Sequence, residues 1–140
     1  MISYDTENVF AKILRGELPA AKVYEDDGIL VIMDAMPQGD GHTLVIPKAP
    51  SRNLLDADPA AVTALFATVQ RIARAVQKAF DADGVSIAQF NEAAAGQTVF
   101  HLHVHIVPRL KGVELRQHAS SGFADPQILA EHAARIRAAL

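Results

Sequence analysis

The sequence predicts an α+β fold, a five-stranded antiparallel sheet with one long and two shorter helices, in a single domain of 140 residues. Two observations carry this. Most of the apolar strand-like runs are joined by tight turns or short loops, which suits antiparallel neighbours. Only one connection is long enough for a helical crossover, whereas a parallel sheet would need one between most strands.

The elements follow in chain order. Residues 6–14 read as a short helix, with Val9, Phe10, Ile13 and Leu14 on one face and Gly16 at its stop. Residues 22–25 and 29–33 read as strands around Asp27-Gly28, a strong hairpin signal. Residues 36–41 form a Pro/Gly loop. Residues 43–46 are a short apolar strand that Pro47 ends, since proline has no N–H for the ladder. The long helix has a good N-cap in Asp58 and a suitable first residue in Pro59. Val62, Leu65, Phe66, Val69, Ile72, Ala73, Val76 and Phe80 keep its apolar stripe, and Gly84 follows its end. Residues 85–90 read as a strand, 91–96 as a loop and 99–107 as a strand of strict alternation. A last helix opens at Asp125-Pro126, with Ile128, Leu129 and Ile136 apolar.

Composition narrows the function. Half the residues are hydrophobic and 21% are charged, which is a globular balance. There is no cysteine, so disulfides, thiolate-bound zinc and thiol nucleophiles are excluded. The net charge is −3 and no Lys/Arg run marks a nucleic-acid footprint. No apolar stretch approaches the roughly 20 residues of a membrane span, and the N-terminus lacks a signal-peptide pattern. A cytoplasmic protein without nucleic-acid or membrane partners is expected.

The chemistry concentrates in His101-Leu102-His103-Val104-His105-Ile106-Val107, which holds three of the chain's six histidines. On a strand, alternate residues share a face about 6.6 Å apart. His101, His103 and His105 would line one face, with Leu102, Val104 and Ile106 packed beneath the long helix. Crowded imidazoles resist joint protonation, so some stay neutral near pH 7 and can serve as nucleophile or base. Clustered titratable groups of this kind mark sites. Three histidines can also hold a catalytic zinc, and spacing alone leaves metal-bound and metal-free chemistry open.

The segment His101 to Val107 resembles the signature of the histidine-triad family, in which histidines alternate with apolar residues. Further segments match in order: residues 8–13 with Gly16-Glu17-Leu18-Pro19, then residues 41–48, then Asn91-Glu92, Gly96-Gln97-Thr98-Val99 and Pro108-Arg109. The likeness spans roughly residues 3–110, leaving 111–140 as a C-terminal segment with the terminal helix. It is similar to the bacterial nucleotide-binding (Hint-type) branch, with the fragile-histidine-triad dinucleoside polyphosphate hydrolases as near cousins.

The resemblance implies a homodimer whose sheets join, acting on a purine nucleotide or adenylate conjugate without a cofactor. It makes His103 the nucleophile at the α-phosphate, with His101, His105 and His42 completing the cluster. It places Asn91, Gln97 and Thr98 at phosphate oxygens, Asp34 at the ribose, and Phe10, Ile13 and Ile32 around the base. The implied reaction is hydrolysis of a nucleoside phosphoramidate or adenylate through a phosphohistidine. Dinucleoside polyphosphate hydrolysis, or nucleotide binding with little turnover, are the alternatives. Several relatives of this type carry a structural zinc. Here its ligand positions hold Asn8, Ala11, Pro50 and His101, so no metal is expected. His118 and His132 match no motif and are expected at the surface.

Overall fold

The computed structural model describes residues 3–117 and 122–140. The chain forms helix α1 (Val9–Leu14), strands β1 (Lys22–Glu25), β2 (Ile29–Met33) and β3 (Thr43–Pro47), helix α2 (Pro59–Ala79), strands β4 (Gly84–Ala88) and β5 (Val104–Arg109), and helix α3 (Pro126–Ala138). The five strands make one antiparallel sheet in the order β1-β2-β3-β5-β4. The α+β architecture read from the sequence is the one the chain adopts.

Local chemistry explains the element ends. Asn8, Asp58 and Asp125 each accept a backbone N–H two or three residues on, capping α1, α2 and α3. Asp26 turns the β1–β2 hairpin by accepting the N–H groups of Gly28 and Ile29. The first helix starts three residues later than expected, because Thr6 lies in the turn before the Asn8 cap.

The sheet separates two apolar layers by residue parity. Ile29, Val31, Met33, Val45, Val104 and Ile106 face α2 and α3 and are buried with Leu65, Ile72 and Ile136. Leu30, Ile32, Leu44 and Ile46 face the other way and are buried with Phe10 of α1. Among the described residues, no helix is long and apolar enough to cross a membrane.

One boundary differs in a way that matters for the site. The alternating run 99–107 is not all strand, since ladder pairing begins at Val104. The β3–β5 register runs Thr43↔Ile106, Leu44↔His105 and Val45↔Val104, and goes no further. Leu102 N–H instead bonds the Ser51 carbonyl at 2.9 Å, beyond the end of β3. His101 and His103 therefore sit on irregular chain, and only His105 lies in the strand.

Candidate functional site

His105 shares its sheet face with Leu44, its partner in register, and hence with the Phe10 layer. His42 stands just before β3 with the same parity. Gly41 delivers it at φ 83°, where a Cβ would lie 2.8 Å from the Phe80 ring and 2.9 Å from Pro108, so only glycine fits. His42, His101, His103 and His105 are all buried.

The rings form a bracketed row. Phe10 meets His103 edge-on at 4.7 Å between centroids, His103 meets His105 at 4.9 Å, and Phe90 meets His105 at 5.7 Å. His101 stands apart, edge-on to Tyr4 at 5.6 Å and to Phe10 at 6.4 Å.

Hydrogen-bond partners assign the protons. Gln38 N–H donates to His42 Nδ1 at 3.0 Å, so the neutral His42 ring carries its proton on Nε2. That nitrogen lies 2.9 Å from His105 Nδ1, which must accept, placing the proton of a neutral His105 on Nε2. His103 Nδ1 donates to the His101 carbonyl at 2.7 Å, leaving the lone pair on Nε2. His101 Nε2 donates to the Pro47 carbonyl at 2.7 Å, and Tyr4 Oη donates to its Nδ1 at 2.5 Å. Burial pushes the His101 pKa below the ordinary histidine value, against a smaller upward pull from the Pro47 carbonyl. The chain thus sets a lone pair on His103 beside a donor on His105.

The remaining candidates fall into three groups. Phe10 and Ile32 are buried in the second apolar layer, with Ile13 packed against it, and Phe10 also stands edge-on to His103. Thr98 is exposed and Asn91 half-buried. Asn91 Oδ1 accepts from Leu54 N–H, and its amide exchanges hydrogen bonds with Gln89. Gln97 Oε1 accepts from Asn53 and Glu92, and its Nε2 donates to the Arg52 and Val99 carbonyls, so the side chain braces the loop. Asp34 is buried; one carboxylate oxygen accepts Met36 N–H at 2.8 Å and the other lies 3.3 Å from His42 Nε2.

Two metal arrangements can be tested on donor chemistry. At the zinc positions implied by resemblance, Asn8 caps α1, Ala11 and Pro50 offer no side-chain donor, and both His101 nitrogens are engaged within the chain. Those residues do not fit zinc. Asp34, His42 and His105 bring possible ligand atoms within 4.8 Å of one another. The Gln38 bond keeps the His42 proton on Nε2, however, and a metal there would have to displace it.

Sequence reading missed Tyr4, Arg52 and Asn53, whose contacts depend on distant partners, and it placed Glu92 in a matching segment without a role. His132 is half-buried, edge-on to Phe80 at 5.1 Å, and not a plain surface residue. His118 lies outside the described residues. A cavity of about 230 Å³ behind His42 is lined by Met33, Arg116, Leu129 and His132, and none of the triad rings is among its described lining residues.

Fold and site together define an α+β protein whose histidine cluster is built on one face of a five-stranded sheet. Residues 15–112 match the HIT domain, and the chain belongs to the HIT family. It is 46% identical over 101 residues to an Arabidopsis thaliana protein named adenylylsulfatase HINT3; the match covers 72% of this chain but only about half (51%) of that protein. Among solved structures, a HIT-like protein of Bartonella henselae, described as involved in cell-cycle regulation and holding an unknown ligand, has a TM-score of 0.92 at 54% identity, covering 99% of this chain and 100% of that one. A zinc-bound histidine triad family protein of Mycobacterium smegmatis has a TM-score of 0.84 at 42% identity, covering 96% and 93%.

Proposed function

We propose that this protein is a hydrolase or transferase acting at the α-phosphate of purine nucleotide conjugates, releasing AMP through a phosphohistidine on His103. The observation that carries the reading is the proton assignment: a lone pair on His103 Nε2, fixed by the His101 carbonyl, beside a proton on His105 Nε2.

In the first step the His103 lone pair bonds to the α-phosphorus while the P–N bond to an amine breaks, its electron pair leaving with nitrogen. The amine takes a proton that solvent supplies through His105 Nε2–H, so His105 stays neutral. The phosphorylated His103 ring carries the positive charge, and the His101 carbonyl on Nδ1–H stabilises it. Water then attacks phosphorus, a proton returns to solvent, and the His103 lone pair is restored. Thr98 and backbone amides of its loop are neutral donors for the phosphoryl oxygens. Phe10 and Ile32 supply an apolar surface for the base, and Asp34 is the carboxylate for the ribose. The Arabidopsis relative's name fits, since an adenylyl sulfate is an AMP conjugate cleaved at the same phosphorus with sulfate leaving.

The homodimer belongs to the same reading. Strand β4 ends the sheet order, and Ile87 on it and Phe90 just past it are exposed, an edge suited to a second copy. The test of function mixes metal-stripped protein with an adenosine phosphoramidate and follows AMP release and intact mass. Turnover with one AMP unit on the native chain, and neither in His103→Ala, is the expected result. No release at saturating substrate would instead indicate a binding module or a different leaving group.

A further inference from the structure

Glu92 occupies backbone space that side chains rarely enter, with φ 75° and ψ 159°. That region belongs almost wholly to glycine, and other residues stay there only when their surroundings over-determine them. The surroundings here do so. Arg52 Nε and Nη2 donate to the two Glu92 carboxylate oxygens at 2.7 and 2.8 Å, the fork geometry of a strong pair. Asn53 Nδ2 adds a bond at 2.7 Å. The Glu92 N–H donates to Gln97 Oε1 at 2.7 Å, and its carbonyl accepts from Ala95 and Gln97 N–H at 3.0 and 3.1 Å. Glycine would relax the backbone, but it would offer Arg52 no carboxylate.

The same short segment also grips the histidine run. The Ser51 carbonyl accepts Leu102 N–H, the Arg52 carbonyl accepts Gln97 Nε2–H, and the Arg52 guanidinium lies 4.1 Å over the Phe100 ring. Phe100 and Leu102 flank His101, whose carbonyl orients His103. One three-residue stretch therefore ties down both the loop carrying Thr98 and the backbone that sets the nucleophile.

We propose that Arg52 and Asn53, acting through the strained Glu92, are positioning residues that hold residues 91–98 and the His101 carbonyl in place before a phosphate ester binds. Pre-formed donors need no ordering when charge develops, which is where such a clamp contributes. The inference rests on the α-phosphate reading, and it assigns the clamp to the step in which the phosphoryl group is attacked.

The experiment compares the full chain with Glu92→Gly, Arg52→Gln and the conservative Arg52→Lys. It reads kcat and KM on an adenosine phosphoramidate, the melting temperature, and hydrogen exchange of amides 93–98. Glu92→Gly is the decisive variant, because relief of strain offsets the lost ion pair. Its melting temperature should hold while kcat falls at least about tenfold, KM changes little, and amides 93–98 exchange at least about tenfold faster. Arg52→Gln should lose kcat similarly, and Arg52→Lys should recover part of it. Should Arg52→Gln fail to fold, the other two variants decide. Kinetic constants within twofold of wild type in Glu92→Gly, or unchanged exchange at 93–98, would overturn the proposal. If the wild-type chain itself shows no turnover, the functional reading fails, and the exchange measurement still decides whether the clamp holds the loop.

Discussion

Adjacent residues of one strand serve two faces that are held together by different physics. Val104 and Ile106 point under α2 into a dry apolar layer and are fully buried. His105 between them points to the opposite face, where its Nδ1 meets His42 at 2.9 Å. Contacts on the first face are non-directional and scale with area, about 0.8 kcal/mol per buried methylene. Those on the second are directional and decide which nitrogen carries a proton. One face should therefore lose stability when trimmed, and the other should lose chemistry while the fold persists.

The comparison breaks most visibly at the nucleophile. His103→Ala should cut AMP release by about 10³-fold or more, roughly 4 kcal/mol of barrier, with the melting temperature moved by only a few degrees. A large loss of stability there would show that the site face also carries the fold. The opposite experiment is Ile106→Ala, at a fully buried position. It should cost about 2–5 kcal/mol in urea titration, with turnover per folded molecule retained.

Smaller effects sharpen the boundary. His42→Gln removes the ring that sets the His105 tautomer, and steady-state kinetics should show kcat lowered by about 10–100-fold. Tyr4→Phe deletes the hydroxyl that bonds His101. Chemical denaturation should register about 1 kcal/mol, with little change in turnover.

The mildest test is a slope. Burial holds the native His101 pKa below its ordinary 6.5, and His132 is also pushed down by burial, partly offset by Asp40. Just below that pH the unfolded chain binds more protons than the native one. Stability should thus be complete above about pH 6.5 and decline as pH falls toward the native pKa values. Melting temperatures between about pH 7.5 and pH 5 should show the decline, and His132→Gln should flatten part of it. An undiminished slope in that variant would exclude His132 as its source.

Much of this was legible in the chain. The β1–β2 hairpin, the Asp58-Pro59 start of α2 and the Asp125-Pro126 start of α3 are written in residues a few positions apart. The row of His101, His103 and His105 was likewise read from type and spacing, whereas His42 joined it only through the family resemblance. The start of β5 was not legible, because a strand ends where its partner does. The alternation continues back to Val99, but β3 stops at Pro47 and Leu102 turns to Ser51. The bracing by Gln97 was hidden for a related reason: its type suits many contacts, and only its four partners reveal a brace.

The sequence by itself determined the layers and the chemistry on offer: periodicity sorts residues between faces, caps and turns place element ends, and composition removes thiol chemistry. Those signals are local, so they survive without coordinates. Only the tertiary structure decided which nitrogen of each histidine holds its proton and which residues hold the loop. These depend on groups far apart in the chain, from Asn53 reaching Glu92 across 39 positions to Tyr4 reaching His101 across 97. No pattern within a single segment encodes a partner that folding alone brings within 3 Å.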